Sequence, residues 1–177
     1  PYGAKLEQAD GTAWMAFYAS TMMSMALELA RGAPEYGDLA SKFFEHFVAI
    51  VDAMNDFDGG GLWDAHDGFY YDRMIHNGRT EVLRSRSLVG LVPLFAAEIL
   101  DDKHLAQAPG FSKRLQWFLE NRPELAQHVH HRGGQRLVAV ADKDRLQSIL
   151  QYLFDEAEFL SPHGIRSMSK AHEHTPF

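Results

Sequence analysis

At 177 residues the chain is long enough to bury a hydrophobic core, and its composition is that of a single globular domain. A formal charge of −7, with 17 basic residues scattered rather than clustered, argues against nucleic acid as a partner. The absence of cysteine excludes disulfide bonds and thiolate metal ligands, and no apolar run reaches the roughly 20 residues that a membrane span requires.

The first predicted element is a long helix that runs from about Asp10 to Arg31. Asp10 or Thr12 can accept hydrogen bonds from the free N–H groups of a first helical turn, and Gly32 is suited to end the helix. Large apolar side chains recur at helical spacing, and further apolar residues fill the opposite side, so we expect a helix buried on all sides. The large set comprises Trp14, Tyr18, Met22, Met25 and Leu29.

A second helix is predicted from about Tyr36 to Asn55. Phe43, Phe47 and Met54 belong to one apolar stripe, whereas charged residues such as Lys42 lie elsewhere on the helix. This amphipathic pattern predicts a helix on an outer surface.

The stretch 60–94 has the composition most typical of a functional site. Its first part is rich in glycine, aromatic residues and acids, which indicates a loop that leads into a hairpin. Asn77-Gly78 is a strong turn pattern, so the residues around 69–75 and 80–84 are predicted to pair antiparallel.

A nearly continuous apolar run at 88–100 follows the polar residues Arg84, Arg86 and Ser87. Polar side chains at the mouth of such a run suggest the floor of a pocket. We expect the run to form a second buried helix, with Pro93 either kinking it or marking a late start.

The remaining chain predicts shorter elements. A one-sided helix is expected from about Phe111 to Glu120, and a short strand at 137–140. Asp142 is suited to cap a third amphipathic helix, while the Pro- and Gly-containing segment 159–170 is expected to be a loop.

Buried and amphipathic helices therefore alternate twice in the prediction, separated by connectors. This alternation is typical of an α/α toroid, in which an outer ring of helices buries an inner ring. A closed toroid of six helical hairpins needs twelve helices, which is more than this length supplies at the usual 11 to 12 residues per helix plus loops. We therefore expect an all-α fold, a partial (α/α)6 toroid with one short β-hairpin in a connector, in which residues 1–177 form a single incomplete domain.

Four segments of the chain carry a resemblance to a known family. They are LEQADGTAWM at 6–15, GLWD at 61–64 with GFYYD at 68–72, RSLVGLVPL at 86–94, and FDEAEFLSPHGIR at 154–166. Together, and in this order, they resemble bacterial members of glycoside hydrolase family 63, the family of mannosyl-oligosaccharide glucosidase and mannosylglycerate hydrolase.

This resemblance implies an (α/α)6 barrel that cleaves an α-glucosidic or α-mannosidic bond with inversion. Such enzymes hold a general acid and a general base roughly 6.5 to 9.5 Å apart, so that a water molecule fits between the sugar and the base. In the family, the acid Asp precedes the segment matching 6–15 and the base Glu follows the segment matching 161–169. The resemblance therefore implies that both catalytic carboxylates lie outside this chain, which should be inactive alone.

The resemblance also implies that the chain keeps part of a sugar-binding wall. His163 stands where the family pattern leads us to expect a tyrosine. The substrate-binding candidates are Gln8, Asp10, Trp14, Trp63, Asp64, Tyr70, Asp72, Arg84, Arg86 and Ser87.

Each candidate has a structural alternative. Trp63 and Tyr70 could stack on a sugar face or pack the hairpin against helix ends. Asp64 and Asp72 could form an acid/base pair within the chain, although aspartates in turns often bond their own backbone.

The cationic candidates and Asp10 are open to two interpretations in the same way. Arg84 and Arg86 could hold a carboxylate of the substrate by bidentate hydrogen bonds, or form structural ion pairs. Asp10 could bind sugar hydroxyls, cap the first helix, or do both.

Two other functions share the predicted architecture. A sugar epimerase or isomerase would need paired histidines on the inner helices, and neither buried run contains one. A non-catalytic helical-repeat scaffold would show a fixed repeat period, whereas the predicted helix pairs differ in length and the connectors are unequal.

The expected partner is an oligosaccharide or a small glycoside, with no cofactor. No metal is expected, because His128, His130 and His131 match no closed zinc pattern. Helices that are apolar on all sides need neighbours, so we also expect the chain to self-associate. The cytoplasm is the expected compartment, although a chain that opens at Pro1 leaves a preceding signal peptide open.

Overall fold

The fold mixes helices and antiparallel sheets. A computed structural model describes residues 3–55 and 60–174. The helices of these residues are α1 (Ala9–Ala30), α2 (Tyr36–Asn55), α3 (Asp102–Leu105), α4 (Pro109–Asn121), α5 (Pro123–Ala126) and α6 (Lys143–Leu153), with 3₁₀ helices at Leu88–Phe95 and Lys170–His172. The strands are β1 (Lys5–Glu7), β2 (Trp63–Asp64), β3 (Phe69–Tyr70), β4 (Asp72–His76), β5 (Arg79–Leu83), β6 (Ala97–Asp101), β7 (Val129–Arg132), β8 (Gln135–Ala139), β9 (Leu160–Ser161) and β10 (Gly164–Ile165).

The two long helices form the centre of the core. α1 packs along α2, and the face of α1 that does so is built mainly from alanines, including Ala9, Ala13 and Ala16. These small side chains let the two helix backbones approach closely. On the far side of α2, Phe44 meets Phe111 of α4 edge to face, with ring centroids 5.6 Å apart.

The prediction that α1 is buried on all sides is wrong. One face of α1 is buried, made of alanines with Ser20, Met23 and Leu27, while most of its other large apolar residues are exposed to solvent. Among the described residues only one long helix, α2, packs on α1, so it can cover only one face. The alanine-rich face allows closer packing than the face with the large apolar residues. The exposed residues of α1 include Trp14, Met15, Phe17, Tyr18, Met25 and Leu29.

Two three-stranded antiparallel sheets flank the helices. One has the order β1-β4-β5, and the turn between β4 and β5 has Asn77 and Gly78 at φ values of 51° and 72°. Two adjacent residues with positive φ are what a type I′ hairpin turn requires, so the predicted hairpin is confirmed. The other sheet has the order β6-β8-β7 and contains the predicted strand near Leu137.

The predicted second buried helix, Ser87 to Leu100, is also wrong. Residues Leu88–Phe95 form a 3₁₀ helix, and Ala97–Asp101 then pairs with β8. Pro93 lacks the N–H group that a continuing α-helix would use, and Ala96, with φ −81° and ψ 68°, leaves the helical region. The run 88–100 is apolar almost throughout, so it could be buried either as an α-helix or as a strand. Its hydrophobic pattern therefore did not distinguish the two.

The all-α prediction, and with it the partial (α/α)6 toroid, is therefore wrong. Among residues 3–55 and 60–174 there are four antiparallel sheets, including β2-β3 and β9-β10 as two-stranded hairpins. The second inner helix that the toroid required is replaced by a 3₁₀ helix and an edge strand. No helix in these two ranges combines the length and the apolar character needed to cross a bilayer.

Candidate functional site

The short hairpin of β2 and β3 positions the central residues of the candidate site. Trp63 pairs with Tyr70 and Asp64 with Phe69, across a turn that contains Gly68 at φ 65°. The Asp64 carboxylate accepts hydrogen bonds from the backbone N–H groups of His66, at 3.0 Å, and Asp67, at 2.9 Å. Asp64 therefore fixes the turn that presents Asp67.

Two arginines that follow β5 reach this turn. Arg84 donates to Asp64, with Nη2 2.6 Å from Oδ2, and to Asp67, with Nη1 3.2 Å from Oδ2. Arg86 lies deeper, with Nη1 2.5 Å from Oε1 of Glu158. The guanidinium of Arg86 also lies 4.3 Å from the ring centre of Tyr152.

Tyr71 connects the two ion pairs. Its hydroxyl donates to Oδ2 of Asp67 at 3.0 Å and accepts from Nε of Arg86 at 3.3 Å. We call this set of residues the clasp, because it joins the β2-β3 hairpin, the end of β5 and the C-terminal segment. The clasp comprises Asp64, Asp67, Tyr71, Arg84, Arg86 and Glu158.

The electrostatics of the clasp favour the ionised form of Asp67. Burial raises the pKa of Asp67, but hydrogen bonds from His66 and Tyr71 and the charges of Arg84 and Arg86 outweigh burial and leave that pKa below its ordinary value of 3.8. Burial raises the pKa of Tyr71 to about 12. At neutral pH Asp67 is thus an ionised acceptor and Tyr71 a neutral donor.

The turn also gathers three groups that could ligate a cation. Asp64, His66 and Asp67 bring one ligand atom each within 4.8 Å of one another. Both carboxylates already bind Arg84, so a metal would compete with a guanidinium for the same oxygens. We therefore assign no metal to the turn.

The histidines that the sequence groups together have separate partners. His128 is buried, its Nδ1 lies 3.2 Å from the carbonyl oxygen of Ala139, and burial lowers its pKa. His131, on β7, contacts Asp102 with Nε2 2.8 Å from Oδ2. These two histidines are thus engaged in different local contacts.

A pocket of about 150 Å³ lies beside the hairpin, and we call it the Trp63 pocket. Arg73 enters it from β4, donating from Nη1 to the carbonyl oxygen of Gly61 at 2.6 Å. Nε of Arg73 is buried, and it has no hydrogen-bond partner among residues 3–55 and 60–174. The pocket is lined by Asn55, Gly61, Leu62, Trp63, Asp64, Arg73 and Val82.

The two aromatic candidates pack against each other. The rings of Trp63 and Tyr70 meet at 66°, with centroids 4.9 Å apart, and the guanidinium of Arg145 lies 5.1 Å from the Trp63 ring. Tyr70 is fully buried, and its hydroxyl donates to Oδ1 of Asn55 at 2.7 Å. Trp63 is half-buried and is the one of the pair that lines the pocket.

The candidates at the start of α1 occupy a different region. Gln8 lines an open groove of about 750 Å³ between β1, α1 and α2. Asp10 accepts from the backbone N–H of Gly11 at 2.6 Å, whereas Asp72 accepts from the N–H of Ala9 at 2.7 Å. The first turn of α1 is therefore held by Asp72, from a distant part of the chain.

Trp14 and Ser87 lie apart from the clasp contacts. Trp14 is exposed on α1, with its ring centroid 6.0 Å from that of Phe95. Ser87 forms an isolated antiparallel bridge with Met168. The structure thus brings Asp64, Arg84 and Arg86 together by way of Asp67 and Tyr71, places Trp63 in the neighbouring pocket, and leaves Gln8, Asp10 and Trp14 at or along α1.

Sequence reasoning gave no site role to Asn55, Asp67, Tyr71, Arg73 or Glu158. Glu158 sits in an acidic run that predicts a solvated surface, yet its side chain is 13% exposed and bonds Arg86 and Ser169. The pattern that could have singled out Asp67 is the Asp64-to-Asp67 spacing before Gly68, which is typical of an aspartate turn.

Comparison with known proteins identifies an uncharacterized relative. The chain is similar to the uncharacterized protein YMR196W of Saccharomyces cerevisiae, at 46% identity over 196 residues. The match covers 100% of this chain and 18% of the yeast protein, so the chain spans less than a fifth of that relative's length. No family model matches the chain, and no solved structure matches it.

Proposed function

We propose that the chain is part of a glycoside hydrolase that cleaves an α-glucosidic or α-mannosidic bond with inversion. In this proposal the general acid and the general base lie outside the 177 residues, and the chain supplies part of the wall that holds the sugar. The proposal rests on the four segments that resemble glycoside hydrolase family 63 and on the contacts between them.

Those contacts are the observation that carries the proposal. Asp72, in the second segment, binds the N–H of Ala9, in the first. Arg86 opens the third segment and contacts Tyr71, within the second, and Glu158, within the fourth. Segments that are far apart in sequence therefore meet, as the parts of one site must.

The chemistry of the clasp supports a binding role over a catalytic one. A general acid must carry a proton at the working pH, whereas Asp67 has a lowered pKa. Asp64 and Asp72, the alternative acid/base pair, both accept backbone N–H groups, and Asp64 also binds Arg84. These partners hold both carboxylates in fixed structural positions.

The Trp63 pocket is the place where we expect the sugar to contact this chain. It combines a half-buried aromatic ring, a carboxylate and the buried, unsatisfied Nε of Arg73. Polar and apolar groups share its wall, and a few placed polar groups are what fix the orientation of a ligand in small-molecule sites.

The test is a calorimetric and NMR titration of the protein with α-linked glucose and mannose disaccharides and with mannosylglycerate. We expect weak binding, and its loss in Trp63→Ala and in Arg73→Met. Trp117→Ala, which removes an exposed tryptophan of α4, should bind as the wild type does. Circular dichroism checks that each variant is folded.

Two outcomes would overturn the proposal. Absence of binding by the wild type, or equal binding by all variants, would remove the sugar-binding wall from the Trp63 pocket. Turnover of any of these glycosides by the 177 residues alone would place the catalytic pair inside the chain. Proton NMR of the first-formed anomer would detect such turnover.

A further inference from the structure

We propose that the exposed face of α1 is a contact surface between two copies of this chain, packed antiparallel across a two-fold axis. We call this face the outer stripe. Its residues are each 40% to 58% exposed, and the rings of Trp14 and Phe95 lie 6.0 Å apart, so the stripe continues onto the 3₁₀ helix. The outer stripe comprises Trp14, Phe17, Tyr18, Met25, Leu29 and Phe95, with Met22 half-buried at its centre.

The outer stripe is as large as a stable dimer needs. Large apolar and aromatic side chains have about 150 to 250 Å² of surface each, so six half-exposed residues present on the order of 600 Å². A standard interface buries about 800 Å² per partner, of which somewhat more than half is apolar. An apolar patch of this extent is at the upper end of what monomeric proteins expose.

The spacing of the stripe suits a second copy of itself. The midpoint between Trp14 and Leu29 is also the midpoint between Tyr18 and Met25. It lies between Thr21 and Met22. In an antiparallel pair centred on that point, Trp14 of each copy therefore faces Leu29 of the other, and Tyr18 faces Met25. A two-fold contact requires this reciprocity, in which residue i meets j and j meets i.

The charge of the helix permits the same arrangement. Between Gly11 and Leu27, α1 has no charged side chain. Glu28, the one charged residue between Trp14 and Leu29, pairs with Arg31, with Oε1 2.6 Å from Nη1, and in this register lies opposite Met15 of the other copy. Two copies can therefore approach without like-charge repulsion. The contact would run from Trp14 to Leu29, about 22 Å at 1.5 Å per residue.

The test measures mass in solution and then the register of the pair. Sedimentation velocity and light scattering of the wild type should give twice the 20.0 kDa of one chain. Tyr18→Lys alone and Met25→Glu alone should each lose the dimer and run as a single chain. Mixing these two variants should restore a dimer, because the introduced lysine of one copy then faces the introduced glutamate of the other.

The matched control is Trp117→Glu, which places a charge at an exposed aromatic residue on α4 and should leave the dimer intact. Circular dichroism confirms that the variants are folded. A wild type that stays at 20.0 kDa over the whole concentration range would overturn the proposal and leave the face to a different polypeptide. Dimers that persist in both single variants, or a mixture that stays monomeric, would overturn the antiparallel register.

Discussion

Gly90 lies where the fold leaves no room for a side chain. It lies in the 3₁₀ helix Leu88–Phe95, where that helix crosses β3, and a Cβ at this position would overlap the Phe69 ring and the carbonyl oxygen of Tyr70. Because the carbonyl belongs to the backbone, it cannot turn aside. We expect Gly90→Ala to lower the free energy of unfolding by about 1 to 3 kcal/mol or more, measured by urea denaturation.

Gly11 provides the matched control for this substitution. It lies in the first turns of α1, and an added Cβ would meet only the Gln8 side chain, at ordinary contact distances of 3.6 Å. Because alanine is the better helix former by up to about 1 kcal/mol, Gly11→Ala should be neutral or stabilising. Equal losses in the two variants would show that the crossing of the 3₁₀ helix and β3 is not the cause.

For individual residues, the sequence identified several that form hydrogen bonds or ion pairs, but it did not identify their partners. Asp10 and Thr12 were the candidates to cap the first helix because they are adjacent, yet Asp72 binds the N–H of Ala9 from 63 positions away. Arg84 and Arg86 were expected either to bind a carboxylate of the substrate or to pair within the protein, and among the described residues both pair with acids. Pairings between distant residues depend on the fold, which local patterns do not encode.

Asn55 joins α2, β3, α6 and the residue that follows β8 through one buried side chain. Its Nδ2 donates to the carbonyl oxygens of Val51 at 2.8 Å and of Val140 at 3.0 Å, and its Oδ1 accepts from Tyr70 and Arg145. We expect Asn55→Ala to destabilise the protein by about 3 kcal/mol, because it leaves buried partners unsatisfied. Chemical denaturation measures this loss.

Asn121→Ala is the control for Asn55. Asn121 is exposed at the end of α4 and donates only to the carbonyl oxygen of Trp117, at 2.8 Å. Its removal should change the free energy of unfolding by less than about 0.5 kcal/mol. A loss of similar size in both variants would contradict a coupling role for Asn55.

Elements with a clear period were predictable, and a uniformly apolar element was not. The bounds of α2 agree with the prediction, and Asp142 caps α6 by accepting from the N–H of Arg145. The run 88–100 has no polar face to fix its period, so only its pairing with β8 decides between helix and strand. For α1 the length was right, but which face would be buried depended on the neighbour.

For the whole molecule, the predicted alternation of buried and amphipathic helices was not enough to identify the architecture. The toroid prediction counted two helices buried on all sides. In the structure the first, α1, has a single buried face, and the second is replaced by a 3₁₀ helix and β6. Of the candidate site residues, Asp64, Arg84 and Arg86 lie together around Asp67. The residues that hold them, Asp67 and Tyr71 with Glu158, were not predicted because the C-terminal contact is long-range.

Acid sensitivity of the whole fold should follow from the clasp, since its ion pairs join the β2-β3 hairpin to the C-terminal segment. The pKa of Asp67 is lower in the folded protein than its ordinary value of 3.8, so its contribution to stability is complete above that value and is lost as the pH falls through the lowered pKa. We expect Asp67→Asn to be less stable at neutral pH by about 1.5 to 3 kcal/mol, the range for hydrogen bonds to charged groups. The variant should also lose less stability than the wild type between neutral pH and pH below 3.8. Urea denaturation at both pH values measures this difference, and parallel losses in the two proteins would show that Asp67 does not carry the acid dependence.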